Sequence, residues 1–380
     1  MKVLHITTGL DNGGAEAVLY RLISKNEKGH SHEIVSLMDE GYYGKRLVKA
    51  GARVHSLRMQ RGRLTFSAIV KLYKLIRSID PDVIQTWMYH ADLIGGVISC
   101  LAGKRVVVWG IHHSNLDPGK TLRSTRLVAR VCALISHFIP TKIICCSEQA
   151  ARVHIELGYN ASKMVVVHNG TDVLEFKPNG TERAKIRTEW HVSDDEVLVG
   201  MVARWDPLKN HETLVAALAY IKSRILLPWR CVLIGPGMME ANQELVALLE
   251  KYGLRDNFDL VGLRDDIPSV MNALDLHVLS SSGEAFGNVT IEAMSCEVPA
   301  VVTMVGAGAV IVGETGWIVQ PSDPEALGSA ILQAVEAIAI TETWEKRKLA
   351  CRSRVIEHFS LDGMTSAYHK VWETALVKYQ

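Results

Sequence analysis

Short apolar runs alternate with amphipathic stretches along this chain of 380 residues. Runs of about four to eight apolar residues are typical of buried strands, whereas apolar positions three and four apart predict helices. In the first half these patterns predict strands Lys2–Thr7, His32–Leu37, Val83–Thr86, Arg105–Trp109 and Lys142–Cys146, and helices Ala15–Lys25, Leu64–Ser78 and Leu122–Phe138.

The second half repeats the alternation. It contains predicted strands Val197–Ala203, Trp229–Ile234, Asp259–Val261, Leu274–Leu279 and Pro299–Thr303, and predicted helices Glu212–Arg224, Gln243–Lys251, Ile267–Ala273 and Val289–Ser295. Strands that alternate with helices indicate parallel sheets in doubly wound layers. The predicted fold class is therefore α/β, with two Rossmann-like doubly wound domains that face a central cleft.

Length and charge indicate where the domains lie. A chain of 380 residues can bury two separate cores. Residues 1–177 carry 24 Lys+Arg and 14 Asp+Glu (net +10), residues 178–380 carry 18 and 27 (net −9), and the whole chain is +1. Oppositely charged halves indicate domains with different partners. We place the N-terminal domain at 1–177 and the C-terminal domain at 178–363, with the linker between Asn179 and Glu196.

Positive residues of the first half cluster around two stretches that predict basic amphipathic helices. One is Arg58–Arg63 with the lysines and arginine that follow it, and the other contains Lys120, Arg123, Arg126 and Arg130. Basic amphipathic helices suit anionic membrane surfaces. The alternative is a solvated face opposite an apolar side on the core. Nucleic acid is not an expected partner, because no aromatic-rich basic module accompanies the charge.

The rest of the composition indicates an intracellular globular protein. No apolar run reaches the roughly 18 residues that span a bilayer, and the N-terminus enters a strand without a signal-peptide pattern. The seven cysteines are scattered and lack zinc-ligand spacing, which favours a reducing compartment. We expect a cytoplasmic protein with no metal ion, located at the inner face of the cytoplasmic membrane if the basic helices bind it.

A pair of glutamates, Glu284 and Glu292, follows the strand that ends at Leu279. Glu284 lies in a strand-to-helix loop and Glu292 about one turn into the next helix, for which Asn288 is the predicted N-cap. Backbone N–H groups at a helix start hold anions, and carboxylates accept hydrogen bonds from hydroxyls. The pattern favours a nucleotide-sugar over a solvated capping loop, because open α/β sheets bind ligands at this edge.

Two further loops offer groups for a phosphate. Arg204 and Lys209 share the loop after one strand, and an arginine fork with a lysine point charge suits a diphosphate. Gly13 and Gly14 join the first strand to the first helix, where backbone can approach a phosphate or sugar. The spacing is not the G-x-G-x-x-G of dinucleotide binders, so an NAD dehydrogenase is disfavoured.

Paired histidines, His112 and His113, follow the strand Arg105–Trp109. A histidine at the carboxyl end of a strand is either a site residue or a structural core group. Alternation along the chain turns the two rings in opposite directions, and we expect His112 to matter more than His113.

The motifs resemble those of the retaining glycosyltransferases of family 4 over essentially the whole chain. The resemblance is carried by Gly13-Gly14-Ala-Glu, Val167-x-Asn-Gly-x-Asp172, Arg204-x4-Lys209-Asn, Gly235-Pro-Gly and Glu284-Ala-Phe-Gly-x4-Glu292-Ala-Met. It implies the glycosyltransferase B fold, a nucleotide-sugar donor (UDP-linked in our expectation), no cofactor and no metal requirement. It also implies that the last helix, about 364–380, packs back on the first domain.

The resemblance assigns roles to individual residues. It implies that Glu292 holds the ribose, that Arg204 and Lys209 clamp the diphosphate with help from Gly13 and Gly14, and that His112 lies near the transferred sugar. The remaining donor contacts implied by it come from Gly235, from Val261 to Arg264, from Glu284 with the backbone of Ala285, Phe286 and Gly287, and from Asn288. Met304 and Val310 stand where relatives commonly have acidic residues, which puts donor-sugar selectivity in question.

These observations predict a retaining, metal-independent glycosyltransferase in cell-surface polysaccharide biosynthesis, such as capsule or lipopolysaccharide. Its acceptor is expected to be a glycan or lipid-linked saccharide. The alternatives are a sugar-nucleotide epimerase of the same fold and a two-lobed small-molecule binding protein. The sequence does not distinguish UDP from GDP or ADP, and it does not identify the sugar.

Overall fold

The computed structural model describes residues 1–25, 29–60, 63, 65–117, 119 and 121–377. The chain divides into two compact units, one formed by Met1–Gly170 with Leu361–Gln380 and the other by Thr171–Ser360. The sequence placed the first boundary seven residues later, after residue 177, and the start of the returning C-terminal segment at 364 rather than at Leu361.

The first unit is built on a seven-stranded parallel sheet with strand order β3-β2-β1-β4-β5-β6-β7. The strands are β1 (Lys2–Thr7), β2 (Ser31–Ser36), β3 (Arg53–Ser56), β4 (Val83–Trp87), β5 (Val107–Ile111), β6 (Lys142–Cys145) and β7 (Met164–Val166). The helices between them are α1 (Gly14–Ser24), α2 (Gly44–Lys49), α3 (Phe66–Ile79), α4 (Tyr89–Leu101), α5 (Arg123–Ile135) and α6 (Glu148–Glu156). Because β1 lies beside β4, the direction of winding reverses between these two strands.

The second unit has a six-stranded parallel sheet with strand order β10-β9-β8-β11-β12-β13. The strands are β8 (Val197–Val202), β9 (Trp229–Ile234), β10 (Phe258–Gly262), β11 (Leu276–Leu279), β12 (Ala300–Thr303) and β13 (Trp317–Val319). The helices are α7 (Gly180–Glu189), α8 (His211–Ile221), α9 (Gln243–Lys251), α10 (Ile267–Ala273), α11 (Asn288–Ser295), α12 (Gly308–Val312), α13 (Pro324–Ile338) and α14 (Thr341–His358). The prediction of two doubly wound α/β domains is confirmed, and here the winding reverses between β8 and β11.

The last helix, α15 (Leu361–Val377), completes the core of the first unit. Tyr368 and Trp372 are fully buried, and the Trp372 indole Nε1–H donates to Gln85 Oε1 at 3.0 Å. The Tyr368 ring stacks on Trp87 with ring centres 5.9 Å apart. The helix is therefore as much a part of this core as the strands are.

The predicted linker between residues 179 and 196 is wrong, because helix α7 occupies most of it. Asn179 caps that helix by accepting hydrogen bonds from the N–H groups of Thr181 and Glu182. Arg183 and Arg187 then tie it to Asp275 through ion pairs of 2.6 and 3.1 Å. Its polar composition concealed a helix that is held by charge pairs and not by a wide apolar face.

Candidate functional site

The loops that carry the predicted donor-binding residues meet where the winding of the second sheet reverses. The loop after β8 and the loop after β11 are joined by the Ser282 N–H, which donates to Leu208 O at 2.8 Å. The Ser280 hydroxyl donates to the carbonyls of Lys209 at 3.0 Å and Asn210 at 3.1 Å. Ligands of open α/β sheets bind in this crevice, outside the carboxyl ends of the strands.

Lys209 and Glu284 contact each other across this junction, with Lys209 Nζ against Glu284 Oε1. Both side chains are largely buried, at 20% and 12% exposure. The Ser281 hydroxyl donates to the same Glu284 oxygen at 2.9 Å. The structure thus brings together two residues that lie 75 positions apart in the chain, the predicted phosphate-binding cation and the predicted sugar-binding carboxylate.

Arg204 lies in the same loop and pairs with Asp206, with its Nε and Nη2 each 3.0 Å from Asp206 Oδ2. Asp206 Oδ1 also accepts from the Leu208 N–H at 2.9 Å. Although partial burial opposes ionisation, that backbone hydrogen bond and the arginine hold the pKa of Asp206 below its usual value. Sequence reasoning missed Asp206, although an acid two residues after Arg204 and just before a proline could have identified it.

The turn into α11 depends on a glycine. Gly287 has φ +104°, a left-handed conformation that side chains rarely adopt, and it caps the helix without any side-chain hydrogen bond. The prediction that Asn288 is the N-cap is therefore wrong, since Asn288 is the first helical residue. Phe286 packs its ring against Phe359, with centres 6.0 Å apart. The backbone of Ala285 to Gly287 thus leads directly into the amide groups at the helix start.

Glu292 lies one turn into α11 and is 6% exposed. Its carboxylate is therefore shielded from bulk water. It lies on the same helix whose N-terminus forms the candidate anion site. A buried acid is stable only where hydrogen bonds or positive charge compensate the desolvation. The burial distinguishes Glu292 from an ordinary solvated helix residue.

The loops after β8 and β9 also pack tightly. The Trp205 N–H donates to Pro236 O at 2.8 Å, and Gly235 has φ +137° with no room for a side chain beside Ala203 O. Gly235 thus lets the two loops approach each other next to Arg204.

The loop after β10 holds Arg264 in a fixed position. Its guanidinium pairs with Glu189 at 2.5 Å and with Asp266 at 2.7 Å, and these acids raise its pKa. Val261 is partly buried against the core of the second unit. The Arg264 side chain thus forms ion pairs with two carboxylates of its own unit, and the sequence motif did not predict these pairs.

Met304 and Val310 both lie on the surface, at 51% and 40% exposure. The Met304 N–H donates to Val319 O at 2.8 Å, and Val310 O accepts from Arg354 at 2.6 Å. Their backbones are therefore fixed, while their apolar side chains are presented to solvent.

In the first unit, Gly13 caps α1 and Gly14 is its first residue. The loop from β1 to α1 thus places the N-terminus of this 11-residue helix at the carboxyl edge of the first sheet. There it lies beside the point between β1 and β4 where the winding reverses. Glu16 in the first turn has a raised pKa, because burial disfavours its charged form.

His112 and His113 follow β5 at the same edge of the first sheet. His112 stacks on Trp87 with ring centres 5.2 Å apart and lies 3.3 Å from the Tyr368 hydroxyl through Nε2. Burial lowers the pKa of His112 to about 4, so its ring is neutral at physiological pH. His113 turns to a different neighbour, Tyr89, whose hydroxyl is 3.3 Å from its Nδ1. Sequence reasoning could not have found Tyr368, which contacts His112 across 256 positions.

Two family models match most of the chain. The model for "Glycosyltransferase Family 4" matches residues 12–174, and the model for "Glycosyl transferases group 1" matches residues 196–337. None of the described helices is long and apolar enough to cross a membrane.

Curated relatives of this chain are named as glycosyltransferases. The chain is 25% identical to the Escherichia coli enzyme named "UDP-Gal:alpha-D-GlcNAc-diphosphoundecaprenol alpha-1,3-galactosyltransferase", over 77% of this chain and 76% of that one. It is 24% identical to the capsular polysaccharide biosynthesis glycosyltransferase CapM of Staphylococcus aureus, over 76% and 77%.

Solved structures share the architecture. Anabaena HepE in complex with UDP-glucose superposes with a TM-score of 0.83 at 22% identity, covering 98% of this chain and 99% of that one. WaaG, a glycosyltransferase of lipopolysaccharide biosynthesis, superposes with a TM-score of 0.73 at 14% identity, covering 97% and 98%. With its two parallel-sheet units, its matched families and these neighbours, the chain belongs to the group 1, family 4 glycosyltransferases and has the glycosyltransferase B fold.

Proposed function

We propose that this glycosyltransferase moves a sugar from a UDP-linked donor to a hydroxyl of a glycan or lipid-linked saccharide, with retention of anomeric configuration and without a metal ion. The observation that carries the proposal is the junction of Arg204, Lys209 and Glu284 beside the start of α11. It combines two cations for a diphosphate, a carboxylate for sugar hydroxyls and helix amides for an anion. The complexes of HepE with UDP and UDP-glucose support the choice of nucleotide.

The reaction follows from the charges. As the bond between the anomeric carbon and the diphosphate breaks, negative charge grows on the leaving phosphate and the sugar becomes oxocarbenium-like. Arg204 and Lys209 stabilise that charge, which is the contribution that a bound divalent ion would otherwise make. The acceptor oxygen bonds to the anomeric carbon on the face that the phosphate leaves, and the acceptor proton passes to a phosphate oxygen. His112, whose buried ring lies between Trp87 and Tyr368 and is neutral, contributes by positioning a hydroxyl of the donor sugar or of the acceptor.

The test is the stereochemistry of the first product. Wild-type protein is incubated with α-linked UDP-sugars and candidate acceptors, and the anomeric configuration of the new glycosidic bond is read by proton NMR. We expect an α-linked product and unchanged turnover in excess EDTA. A β-linked product would contradict retention, and activity that EDTA removes and Mg²⁺ restores would contradict metal independence.

We also place the acceptor at an anionic membrane surface, because α5 presents its large apolar side chains outward. The residues of α5 that face the core are small or slender: Ala129, Cys132 and Ala133 are buried. The outward residues of α5, together with Leu122 just before the helix and Phe138 just after it, form what we call the α5 surface: Leu122, Arg123, Leu127, Arg130, Leu134 and Phe138. Its leucines and phenylalanine are 63% to 86% exposed. Arginines interleaved with exposed apolar groups fit a lipid headgroup layer better than a solvated face. Lys120 lies outside the described residues.

The α5 surface makes a prediction about vesicles. Protein should co-sediment with vesicles that contain anionic lipid and release as salt rises, because the attraction is screened beyond a Debye length of about 10 Å at 0.1 M. Changing Arg123, Arg126 and Arg130 to Glu should abolish binding without a change in the melting temperature. Changing Leu127, Leu134 and Phe138 to Ser should instead weaken the binding that persists at high salt.

Lys45→Glu, Lys49→Glu and Lys251→Glu together provide the matched control, because these exposed lysines lie outside the α5 surface. Equal loss of vesicle binding in the control would show that binding depends on the net charge of the protein and not on the α5 surface. Wild-type protein that ignores anionic vesicles at low salt would rule out the membrane surface and favour an acceptor in solution.

A further inference from the structure

His113 begins a chain of hydrogen bonds that runs into the first unit. Its Nδ1 lies 3.3 Å from the Tyr89 hydroxyl, and that hydroxyl lies 2.7 Å from His154 Nε2. His154 Nδ1 in turn lies 2.7 Å from the carbonyl oxygen of Ala150. Tyr89 and His154 are buried, at 1% and 0% exposure, whereas His113 is partly exposed. This series of hydrogen bonds therefore connects the buried carbonyl of Ala150 to the His113 ring at the carboxyl edge of the sheet.

The direction of every hydrogen bond in this chain is fixed by its buried end. A carbonyl oxygen only accepts, so His154 Nδ1 must carry a proton and donate to Ala150 O. Burial lowers the pKa of His154 to about 4, so the ring is neutral and its Nε2 has no proton. Nε2 must then accept, which makes Tyr89 the donor to His154. The Tyr89 hydroxyl proton is thus used in the hydrogen bond to His154, so the Tyr89 oxygen must accept a hydrogen bond from His113 Nδ1–H.

The same logic leaves His113 Nε2 with a lone pair. Burial also lowers the pKa of His113, so its ring carries one proton, and Nδ1 holds it. Among the described residues, no hydrogen bond is made to Nε2. The ring thus offers a hydrogen-bond acceptor of fixed orientation at the edge where ligands of doubly wound sheets bind.

Backbone geometry supports the placement. Met88 adopts φ +70°, uncommon for a residue with a side chain, and it precedes Tyr89 at the start of α4. The Met88 N–H donates to Gly110 O at 2.8 Å, which joins the end of β4 to the end of β5 just before the two histidines. A non-glycine residue in this conformation costs free energy and is associated with functional sites.

We propose that His113 binds the acceptor substrate, with Nε2 accepting a hydrogen bond from an acceptor hydroxyl, and that Tyr89 and His154 are positioning residues that fix its tautomer. This inference rests on the proposed function, and it gives the acceptor a specific contact in the first unit. The His113 ring stays neutral throughout, because the proton of the attacking hydroxyl passes to the leaving phosphate. It also reverses the expectation that His113 would matter little, since alternation predicts the direction of a side chain but not its partners.

The decisive measurement is the tautomer of His113. In protein labelled with ¹⁵N-histidine, long-range ¹H–¹⁵N correlation spectra at neutral pH should show His113 and His154 as Nδ1–H tautomers, with signals assigned from single His→Gln variants. Tyr89→Phe should release His113 from this form, while His154 keeps its bond to Ala150 O. An Nε2–H tautomer at His113 in the wild type would overturn the proposal.

Kinetics test the same proposal on the substrate side. His113→Ala should raise the acceptor KM about 10-fold, the loss expected for one hydrogen bond worth about 1.4 kcal/mol, while the dissociation constant of UDP stays within a factor of about two. His113→Gln, which can place an amide oxygen near the Nε2 position, should recover part of the loss. His112→Ala should lower kcat instead. His358→Ala, at an exposed position of the second unit, serves as the unaffected control.

The two proposals fail in different ways. If His113→Ala weakens UDP binding, or leaves the acceptor KM unchanged, the acceptor role is wrong even though sugar transfer continues. If the wild type transfers no sugar, the proposed function is wrong, and the tautomer spectra, which need no substrate, still decide whether the hydrogen-bond chain exists.

Discussion

Replacing Lys209 with alanine is expected to lower kcat by about 10²- to 10³-fold, because negative charge develops at the leaving phosphate in the transition state. Lys209 lies in the β8–α8 loop and contacts Glu284 across the reversal of winding. Arg204→Ala should have an effect of similar size for the same reason. The measurement is initial-rate transfer at saturating donor, with folding checked by the melting temperature.

The pairing of Lys209 with Glu284 sharpens this experiment. Lys209→Ala takes the lysine from Glu284 and leaves a carboxylate near the incoming diphosphate, so UDP affinity should fall as well. Adding Glu284→Gln to Lys209→Ala should restore part of that affinity without restoring kcat, because like-charge repulsion is removed. Lys251→Ala, at an exposed lysine of α9, is the matched control. Turnover of Lys209→Ala within a factor of about two of wild type would remove Lys209 from the phosphate site.

The two glutamates are expected to separate nucleotide binding from sugar transfer. Glu292→Ala should weaken the binding of both free UDP and the intact donor by about 10- to 100-fold, the loss of hydrogen bonds between a charged acceptor and ribose hydroxyls. Glu284→Ala should not weaken UDP binding, since its contact is with the sugar, but it should impair transfer. Calorimetry with UDP and initial-rate kinetics on the same preparations measure the two effects.

Glu336→Ala, at an exposed position of α13, controls for the loss of a carboxylate from the second unit. Similar losses of UDP affinity in the Glu284 and Glu292 variants would show that both residues contact the nucleotide. Unchanged UDP affinity in Glu292→Ala would instead assign its burial to packing.

The strands and their end loops were the most predictable parts of the chain. β1 and β9 were predicted to the residue. β9 is a short, mainly apolar run between Pro228 and Gly235, and both of these residues favour the end of a strand. Site residues such as Arg204 and Glu284 follow such runs, and the parallel arrangement places them at one edge without further information. Local sequence therefore predicts this edge well.

Elements set by tertiary packing were missed. Helix α4 is apolar on most sides and contains Gly95 and Gly96, which ordinarily weaken a helix. The structure shows why glycine is present, since a side chain at Gly95 would lie 3.1 Å from Ile6 and Thr86. A helix pressed against a strand in this way lacks the period by which helices are predicted from sequence.

Partner choice was equally hidden. Asp206 for Arg204, Glu189 for Arg264 and Tyr368 for His112 are each plain in the structure and unmarked in the sequence. Such pairs depend on which loops meet, and one of them joins the loop after β5 to the final helix, α15. Motifs thus identify the residues of the site, while their immediate partners emerge only from the fold.

The position of α15 has a consequence for the order in which the protein is made. On the ribosome, residues 1–170 emerge first, yet their core lacks Tyr368 and Trp372 until Leu361–Val377 follow. The second unit, Thr171–Ser360, is continuous in the chain and can fold as soon as it has emerged. The first unit to be synthesised is therefore the second to be completed, and until then its apolar sheet needs protection from aggregation.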